Sequence, residues 1–236
     1  MRFNRFVGDY DLSRDTLAVR DAAFASQLGN VLRLDAGDTV TLCDGRGFEA
    51  DATILALAKG GAEFALKGRR AVATEAAVRV SLYCAVLRRE NFEWVAEKAV
   101  EAGAARLVPV ISERTVKLGL RLDRLARIMK EATEQSGRGL LAALGEPLRF
   151  KEALADAVAR HDAVVMFELA APLFERSALR ERGAQSVAVF VGPEGGWSPE
   201  EMAQAKATGA LVAGLGPRVL RAETAATVAT YLAATA

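Results

Sequence analysis

Phe190-Val-Gly-Pro-Glu-Gly-Gly-Trp-Ser-Pro-Glu-Glu201 says more about the fold than any other segment of this chain. The apolar run Val187-Ala-Val-Phe-Val191 reads as a strand, feeds a loop rich in glycine and proline, and gives way at once to a helix. Ser198 suits the N-cap, Pro199 the first helical position, and Glu201, three residues after Ser198, completes a capping box. Ligands of open α/β sheets bind beyond the carboxyl ends of strands, where this loop would stand. Its glycines lack Cβ and let a ligand approach the backbone. Glu200 and Glu201 occupy the helix start, which a phosphate-binding helix would keep free of negative charge. Neither GxxxxGK[ST] nor GxGxxG occurs. The loop therefore suits a ligand without phosphates, a description that S-adenosylmethionine meets. The alternative is a tight turn that only joins strand to helix.

A second loop of the same kind lies downstream. Leu215-Gly-Pro-Arg-Val-Leu-Arg-Ala-Glu-Thr-Ala225 follows a strand read over 210–215 and precedes an apolar helix read over 227–234. Two Gly-Pro loops at the ends of two late strands would line one crevice. Arg218 and Arg221 stand in the second loop; ion pairs with Glu200, Glu201 or Glu223 are the plainer alternative for them. Upstream, strands over 78–86, 106–111 and 163–167 alternate with helices over 91–102 and 122–135, which predicts a mostly parallel sheet covered on both faces. Before residue 70 the rhythm is different. Segments 39–43, 48–57 and 61–66 read as short strands parted by turns such as Asp44-Gly-Arg-Gly47, with one helix over 22–32. A small β-rich domain (1–70), a linker (68–74) and an α/β domain (75–236) follow from this reading.

The 31 basic and 30 acidic side chains leave a net charge of +1, so nucleic-acid binding would need a local patch. Cys43 and Cys84 are isolated and His161 is the one histidine, so no zinc-ligand spacing exists and no metal is expected. Reduced cysteines, the absence of an apolar leader and the absence of a long apolar run make a cytoplasmic protein the expectation. His161 reads as a surface residue, and Trp197 either closes the loop over a ligand or packs the helix start.

Taken together, the two Gly-Pro loops resemble the paired signature of the ribosomal RNA small-subunit uridine-N3 methyltransferases, members of the knotted SPOUT class. Met1-Arg-Phe-Asn-Arg-Phe-Val7, Asn30-Val-Leu-Arg-Leu-Asp-Ala-Gly-Asp38, Glu97-Lys-Ala-Val-Glu-Ala-Gly103, Pro109-Val-Ile-Ser-Glu-Arg114 and Glu131-Ala-Thr-Glu-Gln-Ser-Gly-Arg138 agree with that family, so the likeness covers essentially the whole chain. Gln27, where the family often has histidine, departs from the pattern, as do Ala102 and Ala222.

The resemblance implies a PUA-like RNA-binding barrel followed by a trefoil-knotted α/β domain, a homodimer, S-adenosylmethionine as cofactor, and 16S ribosomal RNA, within the small ribosomal subunit, as partner. It implies that Leu169, Gly192, Glu194, Gly195, Leu215, Gly216, Val219, Leu220, Ala222 and Thr224 hold the cofactor. Arg221, Arg218 and Arg138 become candidates for the cation beside the reacting base, with Glu223 or Glu194 as proton acceptor or arginine partner. Arg2, Arg5, Arg33 and Arg46 become candidates for RNA phosphates. Two rival readings are a SPOUT enzyme acting on transfer RNA and a non-catalytic assembly factor with the same fold.

Overall fold

Apolar residues recur at every second position of the early strands, and that period buries one face of a sheet. The computed structural model describes residues 4–115 and 119–236 and divides into two units. The first comprises Met1–Glu75 and Thr133–Leu141. It holds β1 (Arg5–Val7), β2 (Thr16–Val19), α1 (Ala22–Ser26), β3 (Thr39–Cys43), β4 (Phe48–Ala58) and β5 (Gly61–Ala71). Asp21 caps α1 by accepting from the backbone N–H of Ala23 and Phe24. The helix expected over 22–32 continues as a wider π-helical turn, Gln27–Val31. The strands run β1-β3-β4-β5-β2, with only the β1–β3 pair parallel. Phe6, Phe24, Leu28, Leu42, Ile54 and Phe64 form the core, Phe24 meeting Phe6 edge-on at 5.0 Å.

The boundary of this unit departs from the expected one. β5 runs as far as Ala71 into the segment read as a linker, where Arg70 pairs across the strands with Glu49 at 2.9 Å and Asp51 at 3.0 Å. The Glu-Gln-Ser-x-Arg segment also joins this unit. Arg5 donates to the carbonyls of Thr133 (3.2 Å) and Arg138 (2.7 Å), and the Val7 N–H donates to Glu134 Oε1 at 2.9 Å. The Gly47 N–H meets the Gly139 carbonyl at 3.0 Å.

Two candidate arginines are thereby corrected. Arg138 is not an open cation awaiting a base: its side chain is 5% exposed and its Nη2 lies 2.7 Å from Glu75 Oε2. Arg5 is not placed to meet a phosphate: it is buried against Glu49, 3.0 Å away, and against the two carbonyls just named. In both, a planar fork already faces oxygens of the chain. Burial works against ionised Glu75, but the Arg138 guanidinium and the backbone N–H of Leu140 outweigh it and hold the carboxyl below its usual value.

The second unit comprises Ala76–Ala132 and Ala142–Ala236. Its elements are β6 (Arg79–Ala85), α2 (Arg89–Glu101), β7 (Ala104–Ile111), α3 (Leu122–Ser136, whose last turn belongs to the first unit), β8 (Ala143–Leu144), β9 (Leu148–Arg149), α4 (Phe150–Arg160), β10 (Ala163–Phe167), α5 (Ser177–Glu181), β11 (Ser186–Val191), α6 (Pro199–Ala207), β12 (Leu211–Ala213) and α7 (Ala222–Ala234). The sheet order is β12-β10-β11-β6-β7-β8, all parallel, with β9 also on β7. The sequence reading places no element at β1, β2, β8, β9, α4 or α5, and α7 starts five residues before the expected 227.

β10 and β11 are buried at every position, as parallel strands covered on both faces must be. On one face Val80, Leu82, Phe92, Val189, Ala226 and Ala229 pack together. On the other Tyr83, Phe150, Phe190 and Trp197 do so, Tyr83 stacked on Phe190 at 4.7 Å. The Tyr83 hydroxyl donates to Asp156 at 2.7 Å, which Arg106 and Arg160 also reach at 2.6 Å. Burial opposes the charge on Asp156, but these three donors outweigh it and draw the carboxyl down to about 2. His161 is half-buried, its Nε2 2.8 Å from the Ser81 hydroxyl, so it is not the surface residue expected.

Glu75→Ala will leave the Arg138 cation buried without its carboxylate and cost about 2–3 kcal/mol, read by urea denaturation. The folded pKa of Glu75 is depressed, so its share of stability is complete above the unfolded carboxylate pKa and is lost as pH falls through the folded value. A pH series on the wild type and the variant will show their difference shrinking in acid.

Candidate active site

The carboxyl ends of β10 and β11 and the segment after β12 enclose one cavity of about 310 Å³ in the second unit. Backbone hydrogen bonds build it. Glu168 N–H donates to the Ala213 carbonyl at 2.9 Å, Gly214 N–H to the Pro172 carbonyl at 2.6 Å, and Phe174 N–H to the Gly214 carbonyl at 2.9 Å. The chain after β12 is thus laced to the chain after β10. A Cβ on Gly214 would stand 2.5 Å from the Ala171 carbonyl oxygen, a distance that tolerates no side chain. Gly216, at φ +104°, turns the second loop through a region that favours glycine.

The loop after β11 forms the other wall. Trp197 packs beneath it, its indole 3.2 Å from where a Gly192 Cβ would be, with Phe150 behind it at 5.3 Å. The capping box forms as expected: Glu201 N–H donates to Ser198 Oγ at 3.3 Å and Ser198 N–H to Glu201 Oε2 at 2.8 Å. Glu201 is buried, and its second oxygen accepts from the Glu113 N–H at 2.9 Å. The loop is therefore tied both to its own helix and to the turn after β7. Arg114 of that turn also donates to the Gly195 carbonyl.

Nine of the ten expected cofactor residues line the cavity: Leu169 after β10; Gly192, Glu194 and Gly195 after β11; and Leu215, Gly216, Val219, Leu220 and Ala222 after β12. Thr224, in the first turn of α7, does not. Arg218 lines it as well, whereas Arg221 and Glu223 flank Ala222 just outside. Arg218 and Arg221 are exposed, and among the described residues no carboxylate pairs with either. The ion pairs considered for them with Glu200, Glu201 or Glu223 do not form.

In the first unit, Arg33 is exposed at φ +58° and Arg46 forms an exposed pair with Asp9 at 2.7 Å. Arg2 lies outside the described residues. Phe167, Glu168 and Gly196 line the cavity but are not among the residues expected to hold a cofactor. Gly196 sits inside the quoted motif, and Glu168 directly follows a strand, so position alone could have found both.

The electrostatics favour a cationic ligand over an anionic one. Glu168 and Glu194 line the cavity beside Arg218. Cys84 at the end of β6 is fully buried, and burial, then the charges of Glu194 and Glu223, push its thiol well above its ordinary value. It remains a neutral thiol, unsuited to act as nucleophile.

Comparison with known proteins agrees with this geometry. A family model described as an RNA methyltransferase domain matches residues 74–234, and one described as an RNA methyltransferase PUA domain matches residues 28–67. Ribosomal RNA small subunit methyltransferase E of Synechocystis sp. is 33% identical over 86% of this chain and 67% of its own length. The protein of that name from Mycobacterium bovis is 30% identical over 90% of this chain and 84% of its own length. The crystal structure of Ribosomal RNA small subunit methyltransferase E from Neisseria gonorrhoeae, bound to S-adenosyl methionine, is 30% identical with a TM-score of 0.88, covering 97% of this chain and 95% of that one. A putative methyltransferase of Legionella pneumophila, in complex with the same cofactor, is 27% identical with a TM-score of 0.82, covering 98% and 96%.

Gly214→Ala will force apart the segments after β10 and β12 and destabilise the second unit by about 2 kcal/mol or more, read by thermal unfolding. Gly216→Ala, whose new methyl meets nothing within 4 Å, will carry only the backbone strain of its positive φ and lose less.

Proposed function

This chain belongs to the RNA methyltransferase family of the ribosomal RNA small subunit methyltransferases E, and on that premise we propose that it uses S-adenosylmethionine to methylate N3 of a uridine in 16S ribosomal RNA. The observation that carries this reading is the single cavity into which the glycine-bearing segments after β11 and β12 both turn. The residues present fit the cofactor. Gly192, Gly195 and Gly216 offer bare backbone, Leu169, Leu215, Val219, Leu220 and Ala222 offer apolar surface to an adenosyl group, and Glu168 and Glu194 suit a positively charged ligand. When bound, the cofactor supplies a methyl group on a cationic sulfur.

The chain's own residues then have two tasks. The first is positioning, since displacement at a methyl group depends chiefly on alignment. N3 lies on the pairing edge of uracil, so the base must leave its stack to enter the cavity. The second is charge. Loss of the N3 proton spreads negative charge onto the flanking carbonyl oxygens, and the guanidinium groups of Arg218 on the cavity lining and Arg221 just outside it, neither paired with a carboxylate among the described residues, are suited to stabilise it. Glu194, on the cavity wall, and Glu223, just outside it, are candidates for taking the proton. The exposed Arg33 and Arg46 suit RNA phosphates, because an exposed pair such as Arg46–Asp9 is weak enough to exchange partners.

A homodimer fits the exposed apolar side chains Leu169, Leu173 and Val219 about the cavity and Tyr231 on α7. A trefoil knot fits the chain path. β12 lies at the sheet edge beyond β10, yet α7 packs on α2, β6 and β11, so the chain must return past the segment laced to it. Kinship with ribosomal RNA methyltransferases supports a cytoplasmic setting; no helix among the described residues is long and apolar enough to cross a membrane.

Labelled cofactor supplied with small ribosomal subunits, naked 16S ribosomal RNA and transfer RNA tests the substrate. We expect methyl incorporation at uridine N3 of the small-subunit RNA; incorporation into transfer RNA alone would overturn the assignment. Arg221→Ala will lower turnover by about tenfold or more while changing cofactor affinity less, measured by single-turnover kinetics beside calorimetry.

A further inference from the structure

We propose that Arg114 holds a backbone phosphate of the RNA whose base enters the cavity; the proposal rests on the reading of that cavity as a methyl-transfer site. Arg114 stands on the turn that follows β7, and this turn is unusually well fastened. Ser112 N–H donates to Thr115 Oγ1 at 2.9 Å, the two hydroxyls lie 2.9 Å apart, and Thr115 N–H returns to the Ser112 carbonyl at 3.1 Å. Glu113 N–H donates to the buried Glu201 carboxylate. That carboxylate has no cationic partner among the described residues, so its contribution here is to bind two backbone segments together.

The side chain presented by this fixed turn is a charge with no counter-charge among the described residues. Arg114 is exposed, and among the described residues no carboxylate pairs with it. Some exposed arginines, such as Arg46, Arg70 and Arg89, meet a carboxylate; Arg114 shares its open state with Arg218 and Arg221 at the same cavity mouth. Among the described residues, the one hydrogen bond of the Arg114 guanidinium joins its Nη1 to the Gly195 carbonyl, on the cavity wall. Its Cδ would lie 3.4 Å from a Cβ at Gly195. That bond aims the group beside the cavity and leaves Nε and Nη2 free to face the two oxygens of a phosphodiester. Arg114 touches the wall without lining the cavity, so an anion outside it, on the RNA strand, is the expected ligand in preference to the carboxylate of the cofactor inside.

The test uses the full chain, 16S ribosomal RNA as substrate, and Arg114→Ala beside Arg114→Lys. Because the side chain is exposed, neither variant disturbs a core. For Arg114→Ala the KM for RNA should rise about tenfold, as for loss of one charge-assisted hydrogen bond. The dependence of log(kcat/KM) on log salt should become shallower by about 0.7, the share of one single-strand phosphate. Cofactor affinity by calorimetry should hold. Arg114→Lys should restore the salt dependence, which a merely structural role would not move. Weakened cofactor binding with unchanged RNA KM would give Arg114 to the cofactor carboxylate and overturn the proposal. So would an unchanged KM and salt slope in Arg114→Ala while the wild type methylates RNA. A wild type that methylates no RNA would instead sink the functional reading, and this proposal with it.

Discussion

Gly214 lies so close to the Ala171 carbonyl that two crossing segments of backbone touch without any side chain between them. The hydrogen bonds on either side, from Glu168 to Ala213 and from Phe174 to Gly214, form only at that spacing. The cavity exists because of this contact. It fixes the segment that carries Leu215, Gly216 and Arg218 against the end of β10, and so gives the loop after β11 an opposite wall. The parallel strands β10, β11 and β12, the first two buried at every position, supply the base from which the three segments leave. Flexible loops alone could not hold a ligand in one geometry; loops bound to each other and to a covered sheet can.

The same unit separates two kinds of polar group. Asp156, with Tyr83, Arg106 and Arg160 around it, is a satisfied charge that holds α4 to the sheet. Arg138 with Glu75 plays the corresponding part in the first unit. Removing one partner of such groups leaves the other desolvated, so they serve the fold. Arg114, Arg218 and Arg221 are the opposite case, being exposed and without a carboxylate among the described residues. Cations left open beside a cavity that holds Glu168 and Glu194 make a site of mixed sign. Such a site can accept a cationic donor and an anionic polymer side by side.

Much of this was legible from residue order. Val187–Val191 as a strand and Ser198 and Glu201 as a capping box stand where the sequence reading puts them, and nine of the ten residues expected to hold a cofactor line one cavity. The misses have physical causes. The segment 68–74 looks like a linker because it is polar, but Arg70 finds Glu49 and Asp51 across the strand and β5 continues to Ala71. Arg138 reads as an open cation because its partner is remote: Glu75 reaches it from 63 residues away, while the nearby Glu134 accepts from the Val7 N–H. Thr224 belongs to the motif but falls on α7 outside the cavity lining.

Residue order alone determined the periods, caps and turns, since each depends on groups a few residues apart whose chemistry is fixed by the covalent chain. It also determined the family, since two Gly-Pro loops with these neighbours form a specific pattern. Only the tertiary structure decided which loops face each other and which charges are left open. β10 lies between β11 and β12, Glu201 reaches the turn after β7, and Arg114 meets Gly195 across 81 residues. Those contacts arise from packing layers on a sheet, and no local pattern encodes which distant partner a side chain will find.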